Sequence, residues 1–337
     1  MRAAGCEIVV GVKDIAVIGI TEIVRHLPRI YSRFRNLVRE IERRHPAVGV
    51  VIDSPAFNLR VARALHRRKI PAIYYVAPQF WAWRQWRARI LRKYISKALV
   101  IFPFEVEFYR RWGVNAEFVG HPLADLATPA MSREELAQKH DLNSAKMWIT
   151  LMPGSRRKEV QMNLPAMITA AKQLGNGYEF LLPVAHTLDN QFLRELIGDS
   201  HGVVLVPDSL AALTHSRAAV VASGTATVEA ALMRTPFVMV YRVSPLTYFL
   251  GRPLVKVPRF AMVNLIAGKE VVPELVQSDF TVENIVSRLG PLLAETESRS
   301  RMLAEFGEVR TKLKGGRLEG GDSAPERGAD AVLNAIS

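Results

Sequence analysis

Apolar residues recur along the chain in short continuous runs, each closed by small or polar residues and followed by a stretch with helical spacing. Such runs lie at 48–52, 72–76, 99–102, 117–119, 148–152, 179–184, 203–206, 218–221 and 237–240. Runs this short and uniformly apolar are the pattern of strands buried on both faces, and their alternation with helices predicts an α/β fold of parallel, doubly wound sheets. A change near Thr128-Pro129, followed by a polar helical stretch at 133–140, separates two βα series and places domains at 1–140 and 141–314. Past Thr281 come two more helical patterns. Lys314-Gly315-Gly316, Gly320-Gly321 and Pro325 then read as a flexible linker before a short helix at 327–336, setting 315–337 apart. No repeat of fixed period is present.

Two stretches carry a pattern with more than one reading. Val17, Ile20, Ile23, Val24, Leu27, Ile30 and Tyr31 fall at roughly helical spacing, with Arg25, Arg29, Arg33 and Arg35 among and after them. This fits a basic amphipathic helix broken or kinked at Pro28, its apolar side facing either the domain core or a membrane interface. Three of the five tryptophans, Trp81, Trp83 and Trp86, lie within six positions and are interleaved with Arg84, Arg87, Arg89, Arg92 and Lys93. Such a mixture suits a membrane interface, a nucleic-acid stacking platform, a domain seam, or plain burial of the rings under a solvated basic helix.

Candidate chemistry clusters where strands end. Leu151-Met152-Pro153-Gly154-Ser155-Arg156-Arg157-Lys158 runs from an apolar strand through a turn into a helix start bearing three cations. A helix N-terminus already favours negative charge, so cations there suggest a shared anion, a phosphate or pyrophosphate; the alternative is a loop with solvated basic residues. Ala222-Ser223-Gly224-Thr225-Ala226 repeats the arrangement, with backbone and hydroxyl donors for a phosphate and Glu229 one turn on, or simply allows close helix–sheet packing. Asp53 follows the strand at 48–52 and is placed either as a general base at the ligand-binding edge of a sheet or as a helix N-cap. His121, also just past a strand, either lines a cleft or is a structural hydrogen-bonding group. The chain lacks G-x-x-x-x-G-K-[ST], G-x-G-x-x-G and an Asp-x-Asp metal pair, so triphosphate, dinucleotide and metal-borne readings have no motif.

Composition narrows the classes. At 337 residues, 49% hydrophobic and 23% charged, the chain is globular and long enough for two domains. Its one cysteine, Cys6, excludes a disulfide framework and fits a reducing cytoplasm, and no apolar run is long enough to span a bilayer. The net charge of +13 is uneven: residues 1–122 hold 22 Lys and Arg against 9 Asp and Glu, the remainder 23 against 23. A field confined to the first third points to an anionic surface. A leaflet is favoured over nucleic acid, because zinc spacing, an RNP-like motif and a helix-turn-helix signature are all missing.

Six motifs in order resemble lipid-A-disaccharide synthase: Val51-Ile52-Asp53-Ser54-Pro55-Ala56-Phe57-Asn58, Tyr75-Val76-Ala77-Pro78-Gln79-Phe80-Trp81-Ala82-Trp83-Arg84, Phe118-Val119-Gly120-His121-Pro122, Leu151-Met152-Pro153-Gly154-Ser155-Arg156 with Glu159-Val160, Ala222-Ser223-Gly224-Thr225-Ala226 with Glu229, and Asn264-Leu265-Ile266-Ala267-Gly268. The resemblance implies a GT-B glycosyltransferase, two Rossmann-like domains facing a cleft. Such an enzyme joins UDP-2,3-diacylglucosamine to 2,3-diacylglucosamine 1-phosphate (lipid X) with inversion, using neither metal nor cofactor. Carried over by position, Asp53 is the base and Arg156 stabilises the departing pyrophosphate. Gly154, Ser155, Ser223, Gly224 and Thr225 assist at the phosphates, Glu229 and Asn264 hold the nucleotide, and Gln79 and His121 lie in the cleft. Val24, Leu27, Ile30, Trp81 and Trp83 are expected to face an anionic membrane, giving a cytoplasmic protein peripheral on the inner membrane; a homodimer exchanging C-terminal parts is also implied.

Two departures from the family pattern stand out. The chain begins after the family's opening strand, Gly-Glu-x-Ser-Gly-Asp loop and helix, implying an incomplete first domain with a weakened acceptor side, and a late start site or shortened gene. Ala56 stands where the family often has Asp. The remaining readings are another GT-B enzyme acting on a UDP-N-acetylhexosamine, such as a cell-wall transferase or 2-epimerase, and a non-catalytic membrane or nucleic-acid binding protein.

Overall fold

The structure, a computed structural model, describes residues 4–11, 20–125, 129, 131–198, 202–255, 257–315 and 323–336. It divides into two compact units, 1–119 with 325–337, and 120–324.

The first unit carries a parallel sheet in the order β1 (Gly49–Ile52), β2 (Ala72–Tyr75), β3 (Lys97–Val100), β4 (Ala116–Phe118). Its helices are α1 (Ile20–Arg44), α2 (Pro55–Arg67), α3 (Ala88–Tyr94) and α4 (Pro103–Arg111). Strands β2 and β3 are buried along most of their length, whereas β1, at the sheet edge, leaves Val50 and Ile52 exposed on one face. Helix α1 runs unbroken through Pro28 to Arg44, further than the sequence pattern suggested. Phe34, Leu37 and Ile41 pack on the core of this unit, and that burial holds the helix together across the one hydrogen bond proline removes. Ile30 is half-buried; the side chains of Val24 and Leu27, expected at a membrane, lie outside the described residues.

In the second unit β5 (Met147–Met152), β6 (Tyr178–Pro183), β7 (Val203–Val206), β8 (Ala218–Ala222), β9 (Phe237–Tyr241) and β10 (Glu274–Val276) form one parallel sheet ordered β10-β9-β8-β5-β6-β7. Around it lie α5 (Arg133–His140), α6 (Arg157–Leu174), α7 (Asn190–Ile197), α8 (Ser209–His215), α9 (Thr225–Leu232), α10 (Pro245–Gly251), α11 (Met262–Ala267), α12 (Val282–Leu293) and α13 (Glu297–Leu313). Trp148, Ile149, Val220, Phe237 and Phe306 are fully or almost fully buried at its core.

The last helix, α14 (Ala324–Leu333), extends into the first unit: Ala331 packs with Ile73, Leu99 and Val119, and Arg327 Nε donates to the Val119 carbonyl at 2.7 Å. The structure therefore divides differently from the expected 140/141 boundary and separate tail. Polar though α5 looks, its Leu136 and Ala137 pack on Trp148, Leu181 and Val206, so it belongs to the second unit. The glycine-rich stretch of the tail, 316–322, lies outside the described residues. Among the described residues no helix is long and apolar enough to cross a membrane.

Candidate functional site

In the second sheet the chain leaves β5 toward β6 and β7 on one side, and β8 leads to β9 and β10 on the other. The strand order therefore reverses between β5 and β8. At such a switch point adjacent loops part, and a crevice opens at the carboxyl ends of the strands. A cavity of about 490 Å³ lies there, lined by residues 152–156 after β5, 183–186 after β6, Pro207 and Ser209 after β7, and 222–226 with Glu229 after β8. The two anion loops deduced from sequence thus flank one crevice, each at a helix start whose first N–H groups have no intrahelical acceptor.

The first loop is held from several sides. Asn163 Nδ2 donates to the Pro153 carbonyl at 2.8 Å from inside, and Thr187 Oγ1 donates to the Ser155 carbonyl at 2.5 Å. Gly154 has φ +120°, and a Cβ there would lie 2.9 Å from Glu159 Cβ, so no other residue fits. Glu159 Oε2 accepts from the N–H groups of Ser155 and Arg156 at 3.3 Å each, while Oε1 pairs with Arg156 Nη1 at 2.5 Å. A carboxylate of the chain itself thus sits on the donors that an external phosphate would use. The Arg156 side chain remains 78% exposed. Of the three cations, Arg157 is turned away: it pairs with Asp189 at 2.9 Å and lies over the Phe192 ring.

Across the crevice, Gly224 has φ +134° and caps α9, and Thr225 is exposed. The Ser223 hydroxyl donates to the Phe260 carbonyl at 2.8 Å and its N–H to Val240 at 2.9 Å, so this residue anchors the loop as well as lining it. Glu229 is half-buried on the wall, and burial pushes its carboxyl above the usual range. His186 also lines the crevice; its place just past β6 is the signal that singled out Asp53 and His121, and it passed unnoticed in the sequence.

Two residues expected at the nucleotide or in the cleft are committed elsewhere. Asn264 is fully buried: its Oδ1 accepts from the N–H groups of Val271 and Val272 at 2.8 and 3.0 Å, and its Nδ2 donates to the Val272 carbonyl and to Glu274 at 2.9 and 2.8 Å. No capacity is left for a nucleotide. Asn264→Ala should cost about 2–4 kcal/mol of stability by stranding these buried groups, read by chemical denaturation; unchanged stability with weakened UDP binding would contradict the structural role. His121 is buried, its Nδ1 accepting from the Leu123 N–H at 3.1 Å, and burial lowers its pKa to about 4, which keeps the ring neutral.

In the first unit, Asp53 lies at the carboxyl end of β1. Asp53 and Ser54 both have left-handed backbones (φ 47° and 45°), as does Val76 just past β2 (φ 55°), a strained arrangement of the kind found at working sites. The Asp53 N–H donates to Tyr75, while its carbonyl accepts from Tyr74 Oη and Asn58 Nδ2, each at 2.7 Å. Ser54, not Asp53, is the N-cap of α2, and it makes no side-chain capping bond. The backbone is pinned and the carboxylate is left exposed. Burial, and the field of the Asp53 carboxylate, raise the pKa of Tyr74, while Arg87 lowers it.

The tryptophan stretch divides. Trp81 is buried rather than membrane-facing: its Nε1 donates to the fully buried Glu105 at 2.9 Å, whose carboxyl burial pushes up to about 7, and Tyr109 Oη holds the neighbouring Pro78 carbonyl. Trp83 (44%) and Trp86 (58%) are exposed, with Arg84 over the Trp83 ring at 4.5 Å, and Gln79 is exposed beside them in sequence. Among the described residues no group of three or more His, Cys, Asp or Glu is placed to hold a metal ion.

Residues 1–318 match the family model described as lipid-A-disaccharide synthetase. A lipid-A-disaccharide synthase of Koribacter versatilis is 52% identical over 337 residues, covering 99% of this chain and 88% of the relative. In fold the chain is similar to the UDP-GlcNAc 2-epimerase of Neisseria meningitidis bound to UDP-GlcNAc (TM-score 0.59, 14% identity, 86% of this chain and 80% of that one). It is likewise similar to a calicheamicin glycosyltransferase (TM-score 0.58, 17% identity, 99% and 86%).

Proposed function

The chain belongs to the lipid-A-disaccharide synthetase family and is a GT-B glycosyltransferase of lipid A biosynthesis, and from that premise we propose that it transfers 2,3-diacylglucosamine from UDP to lipid X with inversion. The observation that carries this reading is the switch-point crevice, where two helix starts and Arg156 converge on a volume suited to a diphosphate. Asp53 takes the proton from the acceptor 6-hydroxyl as that oxygen attacks the sugar C1; the bond from C1 to the UDP oxygen breaks on the opposite face. The charge released on the diphosphate is met by Arg156, by the N–H donors at Ser155 and Thr225, and by the Thr225 hydroxyl, while Ser223, spent on the Phe260 carbonyl, holds the loop in place. In the free loop Glu159 takes the place of a phosphate oxygen and keeps the donors aligned. Glu229, half-buried on the crevice wall, suits the sugar hydroxyls. Purified protein should release UDP only when UDP-diacylglucosamine and lipid X are both present, as read by coupled UDP detection. UDP release without acceptor, or from UDP-N-acetylglucosamine alone, would favour an epimerase-like or hydrolytic reading.

The acylated substrates reside in a bilayer, and the basic first unit, with Trp83 and Trp86 exposed, is read as the surface that docks on an anionic leaflet. Co-sedimentation with anionic vesicles at low salt should be strong and should fade as salt rises; equal binding to neutral vesicles would contradict an electrostatic dock.

A further inference from the structure

The carboxyl edge of the second sheet holds a second cavity, of about 760 Å³, that the transfer chemistry leaves unused. It lies past the ends of β9 and β10, lined chiefly by Met162, Val243, Tyr248 and Phe249 with Arg242 and Arg252. Its one backbone-facing amide is spent: Gln277 accepts from the Val243 N–H at 3.0 Å and donates to the Val243 carbonyl at 3.2 Å, leaving an apolar wall. Arg242 is likewise engaged, donating to the Phe280 carbonyl and lying 4.4 Å over that ring. At the lip stands Phe249, 77% exposed, with Leu254 and Val255 exposed shortly after it.

The cavity neighbours the nucleotide crevice along helix α6. Helix α6 serves both: Glu159 lines the crevice and Met162, three residues on and so on the same helix face, lines the apolar cavity. From Arg156 to Met162 the helix axis advances only ~9 Å, about the reach of a single hexose with its linkage. Between the two, Tyr241 at the end of β9 stacks on Phe260 (5.6 Å), whose carbonyl also takes the Ser223 hydroxyl, forming one packed partition. One sheet edge thus offers a polar half over β7-β6-β5-β8 and an apolar half over β9-β10, the shape of a site for an amphiphile.

We propose that the cavity between α6 and α10 holds an acyl chain of the sugar donor whose diphosphate occupies the neighbouring crevice. This rests on the UDP-sugar reading and adds where the lipid part goes. Such a site selects donors by chain length, since each buried methylene strengthens binding by roughly fourfold.

The test measures, by equilibrium titration, the affinity of UDP, of short-chain UDP-diacylglucosamine and of its long-chain form for the wild-type protein and for Met162→Gln and Phe249→Ser. Phe249 is so exposed that its replacement leaves the fold intact. The wild type should bind the long-chain donor at least ~10-fold tighter than the short-chain one; in the variants that ratio should fall below ~3-fold, with UDP affinity within about twofold of wild type. If UDP binds but the chain-length ratio is unchanged in both variants, the acyl chain lies elsewhere and the proposal is wrong. If the variants instead alter the sedimenting mass, the cavity seats a second copy and the proposal is equally wrong. Failure of UDP itself to bind the wild type removes the nucleotide reading, and the acyl site with it.

Discussion

Asp53→Asn is expected to lower kcat by roughly 10²–10⁴-fold while the protein folds and binds UDP as before. The substitution keeps the shape and removes the basic oxygen. It should not disturb the strained turn, because the groups that pin Asp53 contact its backbone: Tyr74 and Asn58 donate to its carbonyl and its own N–H donates to Tyr75. A sugar hydroxyl is a weak acid, and attack on C1 without a base leaves a proton on the forming bond. The measurement is the steady-state rate with saturating donor and lipid X; a variant retaining more than about a tenth of the wild-type rate would remove Asp53 from this role.

Arg156→Ala is expected to lower kcat by about 10²–10³-fold through loss of the guanidinium that lines the crevice. The exposed side chain contributes little to the packed fold: its ion pair with Glu159 is a surface contact. Removing it leaves the Glu159 carboxylate on the Ser155 and Arg156 N–H groups with no counter-cation, so the donor diphosphate meets an added negative charge as well as a missing positive one. Arg156→Lys should recover part of the loss, since a point charge replaces a planar fork. Thermal unfolding of the variant should match wild type; a large loss of stability would shift the interpretation from chemistry to folding.

The strands were legible in the sequence because most are short apolar runs, and residues 48–52 and 148–152 coincide closely with β1 and β5, although β1 leaves Val50 and Ile52 exposed on one face. Among the described residues the strand missed is β10, which is three residues long and begins on the polar Glu274. The anion loops were legible as strand–turn–helix junctions, but their meeting at one crevice follows from the order β8-β5, which no local pattern encodes. Side-chain direction was harder still. Trp81 and Trp83 stand two apart in an irregular segment, and only the buried acceptor at Glu105 decides which of them is inside. Asn264 sits in a motif shared with the family, yet its work is to close the 271–274 turn, a contact between residues that sequence spacing does not join. Glu159 belongs to a motif by sequence, and only the three-dimensional geometry puts its carboxylate on the loop N–H groups.

With the leaving nucleotide in the switch-point crevice of the second unit and the acceptor proton taken by Asp53 of the first, titration calorimetry of UDP into wild type, Asp53→Asn and Arg156→Ala tests that division most directly. UDP should bind wild type and Asp53→Asn with the same Kd, within about twofold, and Arg156→Ala at least ~10-fold more weakly. Equal UDP affinity for Arg156→Ala and wild type, or weakened affinity in Asp53→Asn alone, would contradict it.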